Sequence, residues 1–427
     1  MGTVDDLART LGDLVAAAHI GAGTLGIDTN PVPEAWEHIT KVDPEHDKEL
    51  PLLYPLYLRH TSAVSVGGSR DVTGGNTEET FELLDRAPVP AFQEPSSPRH
   101  VTDRTRELSD FLAIPEVLNG DIESLIGDLG EGAAYMREEL VPGMIDDAAP
   151  WLPRGLRGRL ADAVTTWLLA SAVFEAYIIQ NEESAAAREA GVTGEDRLDA
   201  ETAATRALAA EKHLHSEVIY VEYSGRFGGE EAVDLVAAID EATGWPRLWY
   251  GGGLDNQENT ETVLEAGADA VVVGNAFHEV AVEERELCSR VVEDLDPDAD
   301  AGALRGWLDS ALDVADAAAT RYLATVPGVD DPEATAREYL TETLRARLDM
   351  AALAGGATED GVSTGADAAA FVADREAGDL PGGTTLQGAA GTDGVDLARA
   401  YAEAHLRDAL DADPLGEPLG HVSLFEA

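Results

Sequence analysis

Cysteine is almost missing from this 427-residue chain, with Cys288 the only one. That excludes an internal disulfide and any cysteine cluster for zinc or iron–sulfur, and a reducing cytosol is the expected home. Basic residues are scarce as well, 29 against 82 acidic ones, for a formal net charge of -53. A surface of that sign repels nucleic acid and anionic membrane. It is expected of a soluble protein adapted to high salt, where screening relieves the repulsion among its own carboxylates. Long apolar runs are lacking too. The longest, TWLLASAVFEAYII, is interrupted by Glu175 and falls short of the roughly 20 residues that cross a bilayer, so no transmembrane span is expected. The opening MGTVDDLART has no basic stretch ahead of its apolar residues and does not read as a signal peptide.

What is present is a repeating pattern. Residues 4–20 read as an amphipathic helix with Leu7, Leu11, Leu14 and Val15 on one side. From Trp36 onward, eight short apolar runs recur: WEHITKV, SAVSV, VPAFQ, FLAIPEVL, FEAYIIQ, EVIYVEY, RLWY and DAVVVG. Helical candidates lie between several of them, at 76–85, 121–128, 201–214, 229–242 and 257–266. Continuous apolar strands alternating with helices imply a parallel sheet covered on both faces. Eight such units imply a closed (β/α)8 barrel. A doubly wound sheet would carry its glycine fingerprint early, and here the glycines come late. Residues 119–173 are too long for one connection and read as a helical insertion. Beyond the barrel, helices are expected at 301–325 and 332–354, followed by flexible loops at GGATEDGVSTG and GGTTLQGAAGTDG. The expected organisation is an N-terminal helical extension (1–32), a barrel (33–285) and a helical C-terminal extension (286–427).

Barrel sites lie at the C-terminal strand ends. The first run ends KVDP, putting Lys41 and Asp43 on one side of a strand, a pairing that suits a phosphate and a divalent cation or a plain salt bridge. The second ends GGSRD, with Ser69 at the rim. The sixth ends YVEYSG, where Tyr220, Glu222 and Ser224 alternate to one side ahead of Gly225. The last two end in Gly251, Gly252 and Gly253, and in Gly274 and Asn275. Glycine loops after the last two strands of a barrel commonly cradle a phosphate with backbone N–H groups and a helix N-terminus.

Taken together, KVDP, SVGGSRDVT, EAYIIQN, VIYVEYSG, YGGGLD and AGADAVVVGN resemble the geranylgeranylglyceryl phosphate synthase family over about residues 33–280. The resemblance implies a magnesium-dependent prenyltransferase barrel. It would join sn-glycerol 1-phosphate to geranylgeranyl diphosphate, making the first ether bond of archaeal membrane lipids. It implies Lys41 on glycerol phosphate and Asp43 and Ser69 on Mg2+. Tyr220, Val221, Glu222, Tyr223, Ser224 and Gly225 would form the loop holding glycerol phosphate, Gly252, Gly253, Gly274 and Asn275 its phosphate cradle, and Tyr177 would face the substrates. Glu222 is the candidate general base, with Tyr220 beside it. Family members assemble as dimers or larger, which leaves a homo-oligomer open here, as well as a transient membrane contact at product release. The chain departs from the pattern at QEPSSP (93–98), where the family's third strand leads into a Pro-Gly-Asn-like segment. The helical DDxxD signature of other prenyltransferases is absent. A Schiff-base aldolase barrel is disfavoured because runs three to eight hold no lysine. A non-catalytic phosphate-binding barrel would be expected to lose Asp43, Ser69 or Glu222, and all three are present.

Overall fold

All eight apolar runs form strands, and the strands pair in parallel. They are β1 (His38–Val42), β2 (Ala63–Val66), β3 (Ala91–Gln93), β4 (Ala113–Val117), β5 (Val173–Ile179), β6 (Val218–Glu222), β7 (Arg247–Gly251) and β8 (Ala270–Val273). The computed structural model describes residues 28–425 except 46, 69, 414 and 416–418, so the helix expected at 4–20 and Ser69 lie outside the described residues. The strand order is β3-β2-β1-β8-β7-β6-β5-β4. Its two ends meet through a single bridge, Gln93 to Leu112. The result is a nearly closed (β/α)8 barrel, as the alternation implied.

Each strand is buried on both faces, which is why it reads as an unbroken apolar run. Ile39, Ala63, Phe92, Val173, Val218, Trp249 and Val272 fill the inside of the barrel. Val42, Val64, Ile178, Val221, Tyr250 and Val271 point outward into the larger core beneath the helices. The N-terminal end of the barrel is plugged. Arg247 Nε donates to Val32 O at 3.0 Å, Asn30 Nδ2 donates to Glu217 O at 2.8 Å, and Trp36 stacks on Phe92 and Phe111. Among the described residues, the opposite end is the open one.

The strands are followed by α1 (Tyr54–Leu58), α2 (Gly74–Leu84) and α3 (Asp103–Leu108). The insertion contains α4 (Asp128–Tyr135), α5 (Val141–Ala148) and α6 (Arg154–Ala170), with π-helical turns at Glu123–Gly127 and Met136–Leu140. α7 (Ala185–Glu189) and α8 (Ala200–Ala209) lead to β6, and α9 (Gly229–Ala242), α10 (Gln257–Glu265) and α11 (Asn275–Asp294) follow β6, β7 and β8. Helix starts fall where the sequence offers a cap. Thr73, Asp199 and Asn256 each accept from a backbone N–H three residues on, which satisfies an otherwise orphaned donor.

The tail holds α12 (Ala301–Ala311), α13 (Ala318–Ala324), α14 (Pro332–Glu359), α15 (Gly365–Ala373) and α16 (Gly383–Ala409). The helix expected over 301–325 is broken into α12 and α13 by a 3-10 turn at Val314–Asp316. Of the two Gly/Thr stretches expected as flexible loops, the first closes α14 through Glu359 and then forms the loop over 360–364, whereas the second is helical and forms much of α16, which kinks at Ala390 and Gly391. Tertiary burial overrides local propensity there: Leu386 is fully buried, and Gly394 packs against the Leu386 carbonyl with no room for a side chain. α11 also runs through the boundary expected at residue 285 and carries α13 and α14 against its outer side.

Candidate active site

The open end of the barrel holds a cavity of about 1160 Å³. Its polar part is lined by Lys41, Asp43, Glu94, Tyr177, Tyr220 and Glu222 and by the glycine loops. Strand alternation puts these side chains inside: Lys41 on β1, Tyr177 on β5, and Tyr220 and Glu222 on β6 all share the inward register. Ser224, Gly225, Gly252, Gly253, Gly274 and Asn275 also line it. Val221 and Tyr223 do not. The same alternation turns them outward, where both are fully buried in the outer core and Tyr223 OH donates to Glu231 at 3.1 Å. Only their backbone reaches the mouth.

The glycine tract is packed against the protein itself. A side chain on Gly251 would collide with the Tyr220 hydroxyl. One on Gly252 or Gly253 would collide with the chain between Tyr223 and Phe227, the loop after β6. Gly253 also has φ +53°, a left-handed conformation that favours glycine. These glycines let two loops close to backbone contact and leave N–H groups at the cavity wall. Beside them α11 begins at Asn275 with no side-chain cap, so its N-terminal N–H groups face the cavity, an arrangement that attracts anions.

Glu94, at the tip of β3, was not singled out by the sequence pattern, yet it is the hub of the polar end. Lys41 Nζ donates to Glu94 Oε1 at 2.7 Å, Ser65 Oγ donates to Oε2 at 2.9 Å, and Tyr177 OH donates to Oε1. Burial opposes the charge on Lys41, but Glu94, Glu222 and Asp43 together hold its pKa above the usual value, so it stays an ammonium. Burial raises the pKa of Glu222, with Glu94 adding to it, while Lys41 and a hydrogen bond from Ser224 Oγ pull it back. Tyr177 and Tyr220 meet edge to face at 4.5 Å, and burial pushes both phenols well above their usual range. One layer deeper, Glu175 is fully buried and neither carboxylate oxygen has a partner. Burial raises its pKa well above the usual carboxylate range, with Glu94 adding to the rise.

The loop after β1 was only partly legible. Lys48 Nζ lies 3.3 Å from Asp43 Oδ2 and donates to Asn275 Oδ1 at 3.2 Å, tying the first and last strand ends together. The signal available was scarcity: the chain has three lysines, Lys41, Lys48 and Lys212, and two of them meet at the cavity. His278 is buried and its pKa is pushed down to about 3 by burial, with Lys48 contributing. Neutral, it accepts from Asp43 N at 3.1 Å through Nε2 and donates to Glu49 O at 3.0 Å through Nδ1. Asp43 is thereby fixed at the rim. Glu45 shares that rim: a Cβ on Gly68 would touch Asp43 Oδ1 at 3.4 Å and Glu45 Oε1 at 3.3 Å. Among the described residues, no three His, Cys, Asp or Glu side chains gather as a ready-made metal cage.

The other end of the cavity is apolar. Leu112, Ile114 and Val117 of the β4 region continue into Leu129, Met136 and Leu169 of the insertion. Fold and site together define a (β/α)8 barrel with a charged mouth and an apolar groove leading away from it. Residues 33–293 match the PcrB family model, and the chain belongs to that family. The matched span includes the insertion and stops before α12. A geranylgeranylglyceryl phosphate synthase from Halobacterium salinarum is 32% identical over 263 residues, 60% of this chain and 94% of the relative. One of the same name from Haloquadratum walsbyi is 31% identical, over 58% of this chain and 90% of the relative. A solved (S)-3-O-geranylgeranylglyceryl phosphate synthase from Thermoplasma acidophilum, in complex with sn-glycerol-1-phosphate, covers 57% of this chain and 87% of its own, at 18% identity and a TM-score of 0.42.

Proposed function

We propose that this chain transfers a geranylgeranyl group to sn-glycerol 1-phosphate. The C3 hydroxyl of the glycerol attacks C1 of geranylgeranyl diphosphate, the C–O ether bond forms, the bond from C1 to diphosphate breaks, and the hydroxyl proton passes to a base. The observation that carries this reading is one cavity joining an uncapped helix N-terminus, a lysine and a raised-pKa carboxylate to an apolar groove. The names of its relatives agree with it.

In this reading the glycerol phosphate dianion sits between Lys41 and the N–H groups around Gly252, Gly253, Gly274 and Asn275. Glu222 takes the C3 proton. Its pKa, raised by burial, makes it a better acceptor than an exposed carboxylate, and Lys41 opposes that rise by favouring the ionised form. Tyr220 and Tyr177 flank the reacting carbon, and Ser224 holds the Glu222 carboxylate.

Magnesium fits the donor set. Mg2+ is usually held by one or two carboxylates together with substrate phosphates and water, and Asp43 and Glu45 supply such oxygens at the rim; Ser69, the other expected ligand, lies outside the described residues. A magnesium ion held by these oxygens would supply positive charge to offset that of the leaving diphosphate. No helix among the described residues is long and apolar enough to cross a membrane.

The test is an extraction assay with radiolabelled glycerol phosphate, prenyl diphosphates of ten to thirty-five carbons, and Mg2+ present or chelated, in molar salt. Label should reach the organic phase with the twenty-carbon diphosphate and Mg2+. Glu222→Gln should lower turnover by roughly 10²-fold. Loss of affinity for glycerol phosphate with turnover preserved defeats the base assignment, and no transfer from any diphosphate defeats the function.

A further inference from the structure

We propose that the outer face of α6 docks on an anionic lipid bilayer. In the insertion, Trp151 and Trp167 are 77% and 61% exposed, and Leu156 and Leu160 are 51% and 39% exposed. At 100° per residue, Leu156, Leu160 and Trp167 fall within about 40° of one another around the helix. They form one stripe, with Trp151 at its head. The opposite side of the same helix is buried at Ala161 and Thr165. An apolar stripe this exposed marks a contact surface.

Charge points to the kind of partner. The segment WLPRGLRGRL, residues 151–160, holds three arginines and no acidic residue, in a chain with 82 acids and 29 basic residues. Arg159 is exposed on one flank of the stripe, about 80° from its centre, and Arg157 lies about as far on the other. Arg157 donates to Leu152 O at 2.8 Å and Pro150 O at 2.7 Å and pairs with Asp146, so it also fixes the loop that presents Trp151. The neighbouring Asp162 is paired with Arg137 at 2.6 Å. Tryptophan and leucine flanked by arginine are the composition of helices that lie in the headgroup region of anionic membranes. The net charge of -53 does not forbid this. In molar salt a charge is screened beyond about 3 Å, so the groups in contact decide.

The position of the helix gives the contact a use. Leu169, on α6, lines the apolar groove together with Met136. A single helix, about 10–12 Å across, therefore separates the outer stripe from the groove. An isoprenoid chain could pass between bilayer and cavity without crossing open water. This use rests on the proposed prenyl transfer, whereas the docking itself does not.

Flotation of the full-length chain with vesicles tests it, in about 1 M KCl. The vesicles are equal parts phosphatidylglycerol and phosphatidylcholine, or phosphatidylcholine alone. The protein should float with the anionic vesicles, and at least about fivefold less with the neutral ones, since each basic residue at the surface adds to binding. A Trp151→Ser, Leu160→Ser, Trp167→Ser variant should stay at the bottom, with an unchanged unfolding midpoint and unchanged turnover on detergent-dispersed substrate. Arg159→Glu should weaken flotation as well. Absence of flotation overturns the proposal, as does a triple variant that floats like the parent. A dimer in light scattering that the triple variant dissolves, with neither protein floating, assigns the stripe to a second copy of the chain instead. A parent that floats but transfers no prenyl group leaves the docking in place and removes the proposed function.

Discussion

The insertion between β4 and β5 and the tail after α11 are both additions to the strand–helix pattern, yet they are attached in opposite ways. The insertion keeps a small core of its own, Met136, Leu140, Val141, Ile145 and Ala161, and leaves Ile122, Ile126, Trp151 and Trp167 in solvent. The tail is continuous with the main core. Tyr322 of α13 is fully buried, packs its ring at a tilt on Phe277, and its hydroxyl meets Thr40 Oγ1 on the outward face of β1 at 2.8 Å. Thr325 meets His38 Nε2 at 3.1 Å, Tyr401 OH donates to Leu52 O at 2.9 Å, and Leu50 and Val422 pair their backbones. With only the five-residue α1 between β1 and β2, the tail supplies the wall that a longer helix would otherwise provide. One addition shapes what enters the site, and the other holds up the strand that carries Lys41.

The sharpest break in that comparison is removal of the tail. A chain ending at Leu295 should show no cooperative unfolding transition in denaturant, because β1 and α11 lose their buried cover. A transition at the parent midpoint would reduce the tail to decoration. Next, Tyr322→Ala should cost roughly 3–5 kcal/mol, as for a large aromatic removed from a core, whereas Trp167→Ala should stay within about 0.5 kcal/mol. Equal costs by denaturant titration would erase the distinction.

A third test uses Glu284 on α11, which joins barrel and tail. It is fully buried, Leu52 N donates to its Oε2 at 2.9 Å, and Tyr57 OH and Thr343 Oγ1 donate to Oε1. Burial raises its pKa from 4.5 to about 7. A raised carboxyl stabilises the fold below its unfolded pKa, and that contribution is lost as pH rises through about 7. Relative to Glu284→Gln, the parent should therefore lose roughly 3 kcal/mol between pH 4.5 and pH 8. A pH-independent difference between the two would show that Glu284 does not titrate in this range. The smallest effect is expected in the insertion. Leu169→Trp narrows the groove and should lower turnover with the twenty-carbon diphosphate about tenfold against the fifteen-carbon one, the scale of a few methylenes in a pocket. Its unfolding midpoint should not move. A uniform loss over all chain lengths would place the prenyl chain elsewhere.

Much of the polar mouth could be read before any fold was known, because period-two alternation assigns Lys41, Tyr220 and Glu222 to one face once a strand is recognised. The same rule applied to YVEYS separates Val221 and Tyr223 from the site, which a motif taken as a block does not do. Glu94 was hidden because its role depends on three donors from three other strands. His278 was hidden because its partners lie 229 and 235 positions earlier in the chain.

The sequence by itself determined the eight strands, the closed parallel sheet, the late glycine cradle and the acidic surface, since each rests on local periodicity or composition. Tertiary structure decided the rest. The glycines of YGGGLD are small because the loop after β6 and the Tyr220 ring press on them. The second Gly/Thr stretch of the tail is helical because burial against α14 and α15 outweighs its poor propensity. The charge on Lys41 and the raised pKa of Glu175 follow from burial and from which charged groups share a low-dielectric interior. Such terms depend on distances between residues far apart in the chain, and only the folded barrel sets those distances.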